Sequence, residues 1–267
     1  MFGFLIKKNF CDGWDNLFSV LTANVTFLFV GFGVVFLNYF AAKIPQNLSY
    51  LIVIPVILSF IIMSIFTFAY GETAAKIADF NGIHLLDYFK AIPGVLKDAT
   101  LFGLMISLIL IISGFSIHYY VVQTQSLVGF CVGILLIWID IFIFLALQWF
   151  IPIRSIMHNN FKKCLKKSFI IMFDNTGYSI AMALYNIVLF ALSIVFIGFF
   201  PSMAGILIAD TNALRLRLYK YDYLEEHPEL KTKHERKQIP WEELIYDDRQ
   251  ALGPRKWKSF LFPWKEE

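Results

Sequence analysis

Asp140 and Asp210 interrupt stretches that otherwise carry no charge, namely 99–139, 141–153 and 175–209. An ionised carboxylate facing hydrocarbon costs several kcal/mol, so an acid in such a stretch must turn toward protein or water. At Asp140 two chemistries are open: a proton, cation or solute site, or a hydrogen-bonded carboxyl that fixes helix packing. Asp210 has Arg217 seven residues later on the same helical stripe. The expectation there is a structural ion pair near the membrane interface. Asn24, flanked by Thr22 and Thr26, together with Gln148, Asn186 and Asn212, can bond across helices. Grouped around Asp140 they would line a polar cavity. Taken singly, each is packing glue of about 0.6–2 kcal/mol. His227 and His234 lack metal-ligand spacing, and no Walker loop, G-x-S-x-G elbow or H-E-x-x-H is present. The chain therefore reads as a non-enzyme with no cofactor, metal or catalytic residue.

The elements that must hold these side chains follow from the uncharged runs. With 58% hydrophobic and 16% charged residues, the composition is that of a membrane chain. A crossing needs about 20 apolar residues, a length that the further runs 16–42 and 44–71 exceed. An all-α polytopic membrane helix bundle is the expected fold class, with crossings near 17–40, 48–70, 99–121, 127–153 and 176–199. Gln123-Thr124-Gln125-Ser126 is the only polar break between the third and fourth, so it predicts a tight hairpin. The run 175–209 is too long for one straight helix, and Pro201 supplies a break. A sixth crossing near 201–221 is the expectation. Lysine and arginine alternate in abundance from loop to loop: Lys7 and Lys8, then only Lys43, then Lys76, Lys90 and Lys97, then none, then Arg154 and the lysines of 162–167. Short cytoplasmic loops collect such charge, which predicts an inner-membrane protein with both termini cytoplasmic. Basic residues are not gathered into a stripe interleaved with aromatics, so nucleic acid is not an expected partner.

Two loops carry helical apolar spacing. Leu85, Leu86, Phe89, Ile92 and Leu96 form one face, and Phe161, Cys164, Leu165, Ser168, Phe169 and Met172 another. Each predicts a helix lying on the cytoplasmic membrane surface. Counted from Leu85 and from Phe161, both place a lysine five positions on and an aspartate, Asp98 or Asp174, thirteen on, followed by Thr100 or Thr176. The pattern suggests a repeated hairpin plus surface helix, each Asp/Thr pair marking the start of the next crossing. Lys162, Lys163, Lys166 and Lys167 would attract anionic lipid at about 1 kcal/mol each, or a partner protein. The chain divides into a transmembrane bundle, 1–221, and a charged aromatic tail, 222–267, too rich in proline for its own core. That tail, with Trp241, Trp257 and Trp264, is expected to dock on the inner loops or the lipid bilayer.

Trp14-Asp15-Asn16-Leu17 leading into the first crossing, Ala23-Asn24 within it, the order of hairpins and surface helices, and a last pair broken at Pro201 resemble the YesL-like family of bacterial membrane proteins. The resemblance covers roughly 10–220. It departs at Gly31-Phe32-Gly33-Val34, where the family typically has a Pro-x-x-Thr segment. Family members are often encoded beside sugar-uptake ABC transporters. The resemblance thus implies an accessory role in carbohydrate uptake, with ABC-type transporter subunits as partners and no catalytic residue. The alternatives are an autonomous ion-coupled transporter using Asp140, and a structural organiser of the membrane.

Overall fold

The computed structural model describes residues 1–229 and 239–255; Trp257 and Trp264 lie outside the described residues. Eleven α-helices run through the described residues, and the first crossings fall where apolar length demands them. Helix α1 is Phe2–Asp15 and α2 is Leu17–Ala41. A 3-10 turn over Gln46–Ile52 leads into α3, Val53–Ala78, and α4 spans Asp87–His118 before a π turn at Tyr119–Gln123. Ser126 then caps α5, Leu127–Leu147, by accepting the Gly129 N–H at 3.1 Å, which makes the expected tight hairpin. The remainder comprises α6, Phe150–Met157; α7, Phe161–Asp174; α8, Thr176–Val195; α9, Ser202–Glu226; and the tail helices α10, Trp241–Leu244, and α11, Tyr246–Leu252. Five stretches among the described residues, Leu17–Ala41, Gln46–Ala78, Asp87–Gln123, Leu127–Met157 and Thr176–Val195, are long and apolar enough to cross a bilayer. The outer parts of α2, α5 and α8 expose Phe29, Phe32, Phe36, Leu127, Phe144, Ile187 and Val195, surface that only lipid can cover favourably. The chain is an integral, multi-pass membrane protein of the all-α class.

The expected sixth crossing differs in kind from the other five. A helix does occupy the expected place, but α9 is not among the five apolar stretches. It is the buried centre of the bundle instead: Ala204, Leu207, Ile208, Asp210, Thr211, Asn212, Leu214 and Arg217 are all buried against α1, α3 and α8. A polar helix is tolerated there because its neighbours, not lipid, meet its side chains.

The first surface helix requires correction. Residues 87–96 are the start of α4, which runs unbroken through Pro93 into the third crossing. Tyr88 and Val95 are buried, and Arg154 of α6 binds Asp98. Asp98 is therefore an interior anchor and not a helix start, which removes the proposed repeat. Helix α7 does stand alone, packing Cys164, Ser168, Ile171 and Met172 inward. Helix α1 is an additional amphipathic element whose inward face is Leu5, Lys8, Asn9 and Asp12.

The tightest packing joins α3 to α4. A Cβ on Gly103 would lie 2.6 Å from the Ile61 Cα, closer than any side chain can sit against backbone. Gly103→Ala should therefore push the two helices apart and lower stability by about 1–3 kcal/mol, the usual cost of overpacking, read as a drop in thermal unfolding midpoint in detergent. Gly114→Ala, which meets nothing within 4 Å, is the neutral control.

Candidate functional site

The polar residues of the membrane region do not gather around Asp140. Ser113 Oγ donates to Asp140 Oδ1 at 2.7 Å, tying α4 to α5, and Asp140 is half-buried. Asn24 is fully buried elsewhere. Its amide donates to the Phe199 and Pro201 carbonyls, both at 2.9 Å, and its Oδ1 accepts the Ala204 N–H at 3.0 Å. It thus satisfies backbone groups left open by the turn between α8 and α9. Gln148 donates to the Leu145 and Ser179 carbonyls, which fixes the break between α5 and α6 to α8. The cavity around Asp140 that would unite these residues is not formed.

Asp210 does not pair with Arg217. Its Oδ1 accepts from the Asn186 amide at 2.8 Å. Seven residues are about 10.5 Å of helix, too far for the pair to close, although both residues share a stripe. The Arg217 guanidinium lies 3.6 Å from the Tyr178 ring centroid and 5.5 Å from that of Trp241, and donates to Asn175 Oδ1 at 3.2 Å. Asn212 turns to α1, donating to Asn9 Oδ1 at 2.8 Å and Asp12 Oδ2 at 2.7 Å.

What does converge is a charged groove at the end of the bundle where α3 stops, α4 starts and α9 leaves the core. Glu72, Lys76 and Asp79 recur at i, i+4 and i+7 and so share one face of α3. Arg215, Tyr219 and Asp222 do the same on α9. The two stripes, with Asn81, Ser155 and His158, line a recess of about 490 Å³. A second recess of about 480 Å³ adjoins it, lined by Glu72, Lys76, Asp87, Lys90, Gly94 and Arg154. Glu72 and Lys76 are common to both.

Most of the groove charge is consumed by neighbours. Arg154 bonds Glu72, and Asp98 at 3.2 Å and the Gly94 carbonyl at 3.0 Å. Lys76 meets Asp87 at 3.1 Å, and Arg215 meets Asp79 Oδ1 at 2.6 Å. Lys90 and Asp222 are exposed and make no ion pair among the described residues. Burial and the nearby Glu225 and Glu226 carboxylates hold Asp222 above its ordinary carboxylate value. Ser155 Oγ, in a residue 2% exposed, has no hydrogen-bond partner among the described residues.

No protein-family model matches this chain, and no curated protein or solved structure matches it. The groove presents both signs of charge.

The remaining expected surface residues flank this end of the bundle. Lys162, Lys163 and Lys166 are exposed along α7, whereas Lys167 is half-buried with Nζ 3.1 Å from Met157 Sδ. Of the tail, Ile245 and Leu252 are buried, and Asp248 accepts from Arg215 at 3.4 Å and Tyr219 at 3.2 Å. The groove residues Glu72, Lys76, Asp79, Ser155, Arg215 and Asp222 were not among the expected site residues. The signal that marks all of them but Ser155 is the i, i+4, i+7 spacing at the ends of α3 and α9.

Proposed function

We propose that this chain is a non-catalytic accessory subunit of a bacterial solute-uptake system. Carbohydrate is the solute class implied by the resemblance to the YesL-like family, and ABC-type transporter subunits are the partners. The observation that supports this reading is how polar groups are used. The hydrogen bonds of Asn24, Ser113, Gln148 and Asn186 tie neighbouring helices together, whereas the charged end keeps Lys90, Asp222, Lys162, Lys163 and Lys166 without an ion pair among the described residues, beside two open recesses. The concentration of Lys and Arg on the loops of that end supports a cytoplasmic side for it. Co-purification in mild detergent tests the reading, with transporter subunits expected to remain bound. A solitary chain, with sugar uptake unchanged on deletion, overturns it.

A second reading, an autonomous ion-coupled transporter, rests on the half-buried Asp140 carboxylate within a candidate span. Reconstituted liposomes separate the two. An accessory subunit shows no flux, and Asp140→Asn then costs only the Ser113 bond, about 1 kcal/mol of stability. A flux abolished by the same substitution in folded protein would establish transport through Asp140 instead. A structural organiser would show neither flux nor a transporter partner.

A further inference from the structure

The two recesses carry opposite charge. In the first, Glu72, Asp79 and Asp222 outnumber Lys76 and Arg215; in the second, Lys76, Lys90 and Arg154 outnumber Glu72 and Asp87. Each recess also holds one exposed charge of its majority sign with no ion pair among the described residues: Asp222 in the first and Lys90 in the second. Because Glu72 and Lys76 line both, a single ligand lying across that shared pair reaches both poles. The buried, unpartnered Ser155 hydroxyl adds a hydrogen-bonding group to the floor of the acidic recess.

We infer that the groove receives one segment of a partner protein that is dipolar, placing a lysine or arginine side chain against Asp222 and an aspartate or glutamate against Lys90. This deepens the accessory-subunit reading and rests on it. Charge complementarity names the occupant: a uniformly basic segment meets Lys90 and Arg154, and a uniformly acidic one meets Asp222 and Asp79, each placing like charges together.

The test uses the full chain in non-ionic detergent micelles and three short fluorescent peptides on an alanine background: one carrying lysines and glutamates in separate blocks, one only lysines, one only glutamates. Anisotropy titration at low salt should show the mixed-charge peptide binding about tenfold more tightly than either other, with the preference fading as salt rises. Asp222→Lys should transfer the preference to the acidic peptide, and Lys90→Glu should transfer it to the basic one. Both residues are exposed, and an unchanged thermal midpoint verifies folding. The same rank order in all three proteins, or no binding, overturns the inference. So does loss of the mixed-charge preference when phosphatidylethanolamine is added, since a dipolar headgroup would then be the occupant. Transporter subunits that still co-purify with both variants would sink the groove and leave the accessory role standing. The predicted peptide pattern without any co-purifying transporter would do the reverse.

Discussion

Arg154→Ala is expected to destabilise the protein by about 1–3 kcal/mol, because removing one partner of a part-buried ionic cluster leaves the others charged and unpaired. The guanidinium joins three helices: it bonds Glu72 of α3, and Asp98 and the Gly94 carbonyl of α4, from its own position on α6. The Arg154 side chain is 13% exposed, and those of Glu72 and Asp98 are 21% each, so water cannot take over its role cheaply. Arg154→Lys should recover only part of the loss, since an ammonium is a point charge and lacks the planar fork that serves several acceptors at once. The triple replacement Arg154→Met, Glu72→Gln, Asp98→Asn should be more stable than Arg154→Ala alone, because it removes the stranded carboxylates. Unfolding monitored by intrinsic tryptophan fluorescence in detergent measures all three. A midpoint unmoved by Arg154→Ala would show that the cluster holds nothing together, and the wall shared by the two recesses would lose its physical basis.

The membrane spans were legible because hydrocarbon imposes one demand, an uncharged stretch of sufficient length, and the sequence displays it without reference to other elements. Facing relationships were not legible, for a physical reason visible at particular residues. The stripe of Glu72, Lys76 and Asp79 and that of Arg215, Tyr219 and Asp222 each have helical spacing, but more than a hundred residues separate them and only the packing of α3 on α9 sets them opposite one another. The residues 85–96 look amphipathic and carry Pro93, so a separate surface helix was the reasonable expectation. It fails because Arg154, distant in sequence, neutralises Asp98 and allows the helix to continue inward. For α9, the break at Pro201 in an uncharged run suggests a sixth crossing, but nothing in that run shows that neighbouring helices enclose Asp210, Asn212 and Arg217. Arg217 illustrates the same limit: its stripe points at Asp210, while Tyr178, Trp241 and Asn175 offer a cation–π stack and a hydrogen bond nearer at hand.

Helix α1 supplies the other large effect. Lys8, 1% exposed, meets Asp12, 4% exposed, at 3.1 Å, and its ammonium sits 3.7 Å from the Phe80 ring centroid. Burial works against both charges, lowering the lysine and raising the aspartate, and each is the main remedy for the other. Asp12 also accepts from Asn212, so the pair locks α1 onto the central helix α9, which carries Arg215 and Asp222 into the groove. Lys8→Ala leaves the Asp12 carboxylate buried with the Asn212 amide alone, and should cost about 3–5 kcal/mol. Replacing both partners with apolar residues of similar size, Lys8→Met with Asp12→Leu, should return most of that loss, since what is expensive is the stranded charge and not the missing contact. Equal losses in the single and double variants would mean that the pair determines how α1 docks. Full recovery in the double variant would mean that hydrophobic packing through Leu5, buried on the same face, suffices to hold α1 against α9.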